Sequence, residues 1–177
     1  MNGDGAHTPP DKKLNGHIRS GQRAETEIVQ IRGDEMIRKF YRLYSLTEKR
    51  HGAARPLYRK RFFLALLDRL GESPRLYWNA LREEGRLVGS CINFIHGKTL
   101  FNWQTVSDYE SRHLKPNHVL LADAIERGAE LGVSRVNLGA SPEHAHGLID
   151  YKERWGGERV EYACYTSASP LRKMLGR

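Results

Sequence analysis

The sequence predicts an α/β protein of the α+β kind: one mixed sheet, built from an antiparallel meander and a helical crossover into a parallel strand. Three observations predict it. Apolar residues recur at helical spacing from Met36 to Leu70. The period then shortens to two across residues 75–106, with glycine-containing turns between the alternating runs. A helical period returns at 118–131 and is followed by a short apolar run, SRVNLG at 134–139. A strand reached through a helix pairs parallel with its sheet neighbour.

The elements follow in order. Residues 1–16 are rich in glycine, proline and lysine without any period, and read as a flexible leader. EIVQI (27–31) is a short strand. Asp34 is the expected N-cap of a helix in which Met36, Ile37, Phe40, Tyr41 and Tyr44 share a face, and His51-Gly52 closes it. After a loop at 54–56, residues 57–70 form a second helix with Phe62, Phe63, Leu66, Leu67 and Leu70 as its buried stripe, stopped by Gly71. RLYWNAL (75–81), RLVGSCINFIH (86–96) and TLFNWQTV (99–106) make the meander, with Gly89 marking a bulge or a close approach. Residues 107–116 are an irregular connector. Asn117 is the expected cap of the crossover helix, whose Val119, Leu120, Ala122, Ala124 and Ile125 face inward. A polar loop at 140–147 leads to a short helix at 148–155, closed by Gly156-Gly157. RVEYACYT (159–166) alternates as a last strand, and 167–177 is a basic tail. With 177 residues and no internal repeat, the expectation is a single domain over 17–166.

Composition narrows the class. Hydrophobic residues make up 39% and charged residues 28%, a globular balance. No apolar run reaches the length of a membrane span, and the N-terminus lacks an apolar signal core. Cys91 and Cys164 are the two cysteines, with no ligand spacing around them. That argues against a disulfide scaffold or a zinc ribbon and makes a reducing cytoplasm the expected compartment. No metal site is expected: His144-x-His146 lacks a third ligand at useful spacing. The net charge of +8 is lopsided. Residues 12–69 carry 15 basic and 6 acidic side chains, while the remainder is close to neutral. Such a footprint suits a polyanion such as RNA, a nucleotide, a pyrophosphate or an acidic membrane surface, and equally a solvated arginine-rich helical surface.

The C-terminal third carries the most specific pattern. Leu114-Lys115-Pro116-Asn117 leads a helix, Val136-Asn137-Leu138-Gly139-Ala140-Ser141 follows, and then Gly147-Leu148-Ile149-Asp150-Tyr151-Lys152-Glu153-Arg154-Trp155-Gly156. This resembles the FemAB-like branch of the GNAT acyltransferase superfamily, whose pattern runs L-x-P-N-x-L-L, D-x-G-x-S, then G-L-x-x-F-K-x-x-W-G. Phe40-Tyr41-x-x-Tyr44, Arg50-His51-Gly52 and Arg61-Phe62-Phe63 resemble the same family's two-helix segment, and Ile18-Arg19 through Arg23-Ala24 resemble the basic stretch before it. Lys-x-x-Trp-Gly is the most specific piece. Tyr151 stands where the family has phenylalanine, and Asn137 where it has aspartate, which removes a charge from that strand end.

The resemblance implies a GNAT fold in which the strands flanking the crossover helix splay apart and donor and acceptor meet between them. It implies transfer of an acyl or aminoacyl group to an amine by direct attack, from aminoacyl-tRNA or from acyl-CoA, with no tightly bound cofactor. Acceptors of such chemistry include peptides, amino sugars and small molecules. Cross-bridge enzymes of the family carry two tandem domains where this chain has room for one, so a homodimer could supply a second-domain surface. CoA-binding members usually carry glycines before the crossover helix, where backbone N–H groups cradle pyrophosphate. Residues 107–117 contain no glycine, and Pro116 removes a donor, so an RNA-borne donor is modestly favoured and acyl-CoA is the alternative. A non-catalytic RNA- or partner-binding module is the third reading.

Aminolysis needs a neutral amine, a stabilised oxyanion and a protonated leaving atom. Lys152, in its Tyr-Lys-x-x-Trp-Gly context, is the expected charge stabiliser. Tyr151 either hydrogen-bonds substrate or packs. Glu143 and His144 are candidates to move a proton. Arg50, His51 and Arg55 are expected in the loop between the first two helices, on the acceptor side. Arg112 could bind phosphate through its side chain. Asn117, Asn137 and Ser141 are further candidate substrate contacts, and Trp155 reads as a core anchor before a stacking platform.

Overall fold

The computed structural model describes residues 12–23 and 25–163. Its elements are α1 (Lys12–Arg23), β1 (Thr26–Gln30), α2 (Gly33–Arg50), α3 (Lys60–Leu70), β2 (Leu76–Glu83), β3 (Arg86–His96), β4 (Thr99–Ser107), a 3₁₀ segment (Glu110–Leu114), α4 (Pro116–Glu130), β5 (Arg135–Asn137) and α5 (His146–Arg154). The strands lie in chain order in one sheet. β1 to β4 pair antiparallel, and β5 pairs parallel with β4. The predicted meander and crossover are therefore present.

Two turns set the meander, and in both a glycine takes positive φ: Gly85 (75°) between β2 and β3, Gly97 (55°) between β3 and β4. Alternation then sorts the strand side chains to two faces. Trp78, Ala80, Leu87, Ile92 and Val106 join Ile37, Phe40, Leu43, Tyr44 and Phe63 of α2 and α3 in the larger core. Leu81, Val88 and Cys91 meet Leu114, Val119 and Leu120 of the connector and α4 in a smaller one. The sheet is thus covered by α2 and α3 on one side and by α4 on the other, with α1 packed on α4.

Two irregularities matter for the site. β3 is bulged against β2, so that Leu81 faces Gly89 and Arg82 faces Leu87. Gly89 also lets α4 sit close: a Cβ there would lie 2.8 Å from Pro116 Cβ and 3.2 Å from Leu120 Cδ1. Gly89 is thus both bulge neighbour and close-approach point. β4 is bulged in turn, with Trp103 as its extra residue between Asn102 (opposite Asn93) and Gln104 (opposite Ile92).

Four expectations change. The segment read as leader is helical from Lys12: Leu14 is buried and α1 docks on α4. A small polar-looking stretch was enough because the dock is made by Leu14 and by Gly21, whose missing Cβ makes room for Leu114 O and Val119 Cγ2. Asn117 does not cap α4. Lys115 takes that place in the left-handed region (φ 54°), because Pro116 starts the helix two residues earlier. Asp34 likewise falls in the first turn of α2, behind Arg32 at the cap. The last predicted strand is absent over its described part, 159–163. Val160 and Tyr162 alternate there but stay 80% and 68% exposed, and alternation without a partner strand makes no ladder. Residues 1–11, 164–166 of that run and the 167–177 tail lie outside the described residues.

Candidate active site

The site begins where the sheet comes apart. β5 pairs with β4 at three positions only, the last being Phe101 opposite Asn137. β4 continues to Ser107, so from Asn102 onward its outer edge has no strand partner among the described residues. An open edge presents backbone N–H and C=O groups to whatever enters the split. The Trp103 bulge sits at this parting point.

The chain leaves β5 through a turn made by its own side chain: Asn137 Oδ1 accepts the Gly139 N–H at 2.8 Å. Gly139 has φ 73°, which favours glycine, and an added Cβ would lie 3.6 Å from Phe101 and 3.7 Å from Asn102 O. Lys152, on α5, reaches back to this turn. Its Nζ donates to Gly139 O at 2.7 Å and to Ala140 O at 2.8 Å. Burial lowers its pKa from the usual lysine value. An ammonium has three N–H bonds, so one remains uncommitted.

α5 is held by an aromatic group on α4. His118 meets Tyr151 edge-on at 5.2 Å and lies parallel to Trp155 at 6.5 Å, and Tyr151 and Trp155 contact each other at 6.4 Å. The Tyr151 hydroxyl donates to Asn117 O at 3.3 Å, and burial pushes its pKa up, so it stays a donor at neutral pH. Burial also lowers His118, to about 4, with the nearby cations of His17, Lys115 and Arg154 acting in the same sense. His17 of α1 caps this group at 4.9 Å from His118. Trp155 is half-buried, with its ring against His118 and Tyr151.

A second group forms at the far end of the open edge. Arg50 is the last residue of α2 rather than a loop residue. It donates to Ser107 O at 3.2 Å and lies over the Tyr109 ring at 5.8 Å. Arg112 covers the same ring at 4.4 Å. Sequence spacing gave no hint that Arg50 and Arg112 converge. The connector itself is no glycine cradle. Its 3₁₀ segment is organised by Asp108, which takes the Glu110 N–H at 3.2 Å, the Ser111 hydroxyl at 3.4 Å and Arg86 at 2.9 Å. A protein carboxylate thus already sits on those donors.

The other predicted residues are placed differently. His51 and Arg55 are exposed beyond α2, and Glu143 and His144 are exposed on the loop before α5, and their side chains make no hydrogen bond or ion pair among the described residues. Ser141 Oγ and Asn117 Oδ1 are buried without a hydrogen-bond partner among the described residues. Sequence reading missed the polar residues on the α4 face of the sheet. Asn79, Asn93 and Asn102 sit in mid-strand, where asparagine is disfavoured, and that was the available signal. Among the described residues no three His, Cys, Asp or Glu side chains converge on a point that could hold a metal ion, and no helix is long and apolar enough to cross a membrane.

A search of curated proteins returns no match. Solved structures do match. FemX aligns with a TM-score of 0.73 at 14% identity over 88% of this chain, which spans 56% of the FemX chain. AAC(6')-Iy, in complex with a bisubstrate analog, CoA-S-monomethyl-acetylneamine, aligns with 0.66 at 14% identity over 82% of this chain and 99% of its own. Glucosamine-6-phosphate N-acetyltransferase from Arabidopsis thaliana aligns with 0.60 at 12% identity over 81% of this chain and 99% of its own. At these identities the likeness establishes the fold. The sequence profile of the acetyltransferase (GNAT) domain matches residues 11–153, and the chain, split sheet included, belongs to that family.

Proposed function

We propose that this GNAT protein is an N-acyltransferase that moves an aminoacyl group from tRNA to an amine, with Lys152 stabilising the charge that develops on the carbonyl oxygen. The observation that carries the reading is the ammonium of Lys152 pinned by Gly139 O and Ala140 O at the mouth of the split. The amine nitrogen attacks the ester carbonyl carbon, and the carbonyl electron pair moves onto oxygen beside the remaining Lys152 N–H. The oxyanion then collapses, the C–O bond to the ribose breaks, and the ribose oxygen takes up the proton that the attacking nitrogen gives up. Fixed donors of this kind lower barriers because they need no reorganisation when charge appears. Tyr151 and Trp155 hold α5, and so Lys152, in register with the strand edge.

The tRNA donor is supported by the Arg50–Tyr109–Arg112 group and the basic first third of the chain. It is supported too by the Asp108-filled connector, which leaves little room for a backbone pyrophosphate cradle. A cytoplasmic setting and a second copy of the chain completing the acceptor side belong to the same proposal. The rival reading is acyl-CoA-dependent N-acetylation, favoured by the fold likeness to AAC(6')-Iy solved with a CoA-derived ligand. Thermal shifts with acetyl-CoA, CoA and deacylated tRNA separate the two. Salt-sensitive stabilisation by tRNA supports the proposal; stabilisation by CoA compounds alone replaces it with the rival. Lys152→Ala that weakens binding without a specific loss of transfer would leave a non-catalytic binding module.

A further inference from the structure

A row of polar side chains crosses the α4 face of the sheet and ends at the split. Thr105 Oγ1 donates to Asn102 Oδ1 (3.4 Å), Asn102 Nδ2 to Asn93 Oδ1 (2.9 Å), Asn93 Nδ2 to Asn79 Oδ1 (3.4 Å), and Asn79 Nδ2 to Asp123 Oδ2 (2.6 Å). Every donor in the row points toward the same carboxylate, which also takes the Tyr77 hydroxyl at 2.7 Å. Asn79 and Asn93 are fully buried. Apolar side chains could fill this face without the desolvation cost that buried amides carry. The row therefore calls for an explanation beyond packing.

Its direction supplies one. Each hydrogen bond given toward Asp123 leaves the donor's own oxygen richer in electrons, and the effect passes along a chain of bonds in a low-dielectric interior. It ends on the Thr105 oxygen, half-buried in the unpaired part of β4. The bulge is what brings it there. Strand alternation would send positions 102 and 105 to opposite faces, and the extra residue Trp103 puts both on the α4 face. Cys91 Sγ, at 3.2 Å, is a weak neighbour and leaves the hydroxyl oxygen an acceptor. Gly139 lies against Asn102 O of β4, and its own carbonyl holds the Lys152 ammonium at 2.7 Å, so the ammonium is tied to the strand that carries Thr105. A carbonyl held there would place its α-substituent within reach of β4.

We propose that Thr105 receives an amino group carried by the acyl part of the donor, so that the protein selects aminoacyl over plain acyl groups. The inference rests on the split being the transfer site, but not on which carrier brings the acyl group. Its test uses the pair alanyl and propionyl, which differ by that amino group alone. Each is attached through a non-hydrolysable amide to the 3′ end of tRNA, and through a thioether mimic to CoA, and affinities for the full chain are measured by titration.

On whichever carrier binds, alanyl is expected to bind about tenfold more tightly than propionyl, in keeping with one charge-assisted hydrogen bond. Thr105→Val should bring the ratio to within about twofold, Thr105→Ser should restore it, and Asp123→Asn should reduce it part-way. Thermal melts identify any variant that fails to fold, and Thr105→Ser keeps the question answerable in that case. Equal binding of the pair by the unaltered protein, or a ratio unchanged in Thr105→Val, overturns the proposal while leaving the tRNA reading intact. Preference for alanyl on CoA alone sustains it and overturns the tRNA reading. Binding of neither carrier overturns both.

Discussion

Lys152 has committed two of its three N–H bonds to backbone carbonyls, and the consequences of losing it follow from that. If Lys152 stabilises the oxyanion as proposed, Lys152→Ala should lower transfer by roughly 10²–10³, the usual effect of removing one oxyanion donor, and change donor affinity far less. Lys152→Arg, with a planar head that cannot sit in the same two-carbonyl grip, should recover little. Single-turnover rates at saturating donor read both; a fall in affinity with the rate kept would contradict the assignment. His118 gives a prediction about pH. Its folded pKa is lowered to about 4 by burial, so below about 6.5 the unfolded chain takes up a proton that folded His118 refuses. Stability should therefore fall as pH drops from about 7 to 4, by roughly 1–2 kcal/mol once its partial exposure is discounted. Urea melts at several pH values measure this, and His118→Gln should flatten the slope. Lys152 stands out in the sequence because its neighbours form a specific run, and the structure adds its two carbonyl contacts. His118 does not, because what lowers its pKa is a cluster drawn from α1, α4 and α5.

Elements were legible in proportion to how local their causes are. β3 is bounded by turn residues on both sides, and its predicted and observed limits coincide at Arg86–His96. α1 was missed because nothing in its own composition forces a helix; it is stabilised by docking. The strand predicted at 159–166 failed for the converse reason, since Val160 and Tyr162 have the right alternation and no neighbouring edge. Close approach gives the test at this scale. Gly89→Ala would put a methyl 2.8 Å from Pro116 Cβ, which is backbone-tied and cannot swing away. We expect a loss of about 1–3 kcal/mol in urea unfolding. Because Pro116 starts α4, the displacement should also disturb Asn117 and Tyr151, and donor binding should weaken along with stability. Gly16→Ala, which meets nothing within 4 Å, is the matched control and should be neutral or slightly stabilising.

At the scale of the whole molecule, the charge asymmetry becomes a located surface. Two cations of the first third are in ion pairs among the described residues, Arg32 with Glu72 and Lys39 with Glu35, while its Glu27 is neutralised from outside by Arg82. Arg55, Arg59, Lys60 and Arg61 are exposed and have no ion pair among the described residues. Three of these stand at the cap and first turn of α3, which has no acidic residue there. A helix N-terminus disfavours cations, so each costs about 0.3–1 kcal/mol where an acid or a neutral residue would not. Folding alone gives no reason to keep them; a polyanionic partner does. Replacing Arg59, Lys60 and Arg61 together by glutamine should leave the melting temperature equal or higher, since the helix end is relieved. On the tRNA reading the same variant should bind tRNA more weakly, and the slope of log affinity against log salt should become shallower by roughly 2, close to 0.7–0.9 per lost phosphate contact. An unchanged slope would assign these cations to solvent and leave Arg50 and Arg112 as the donor-side charges to examine.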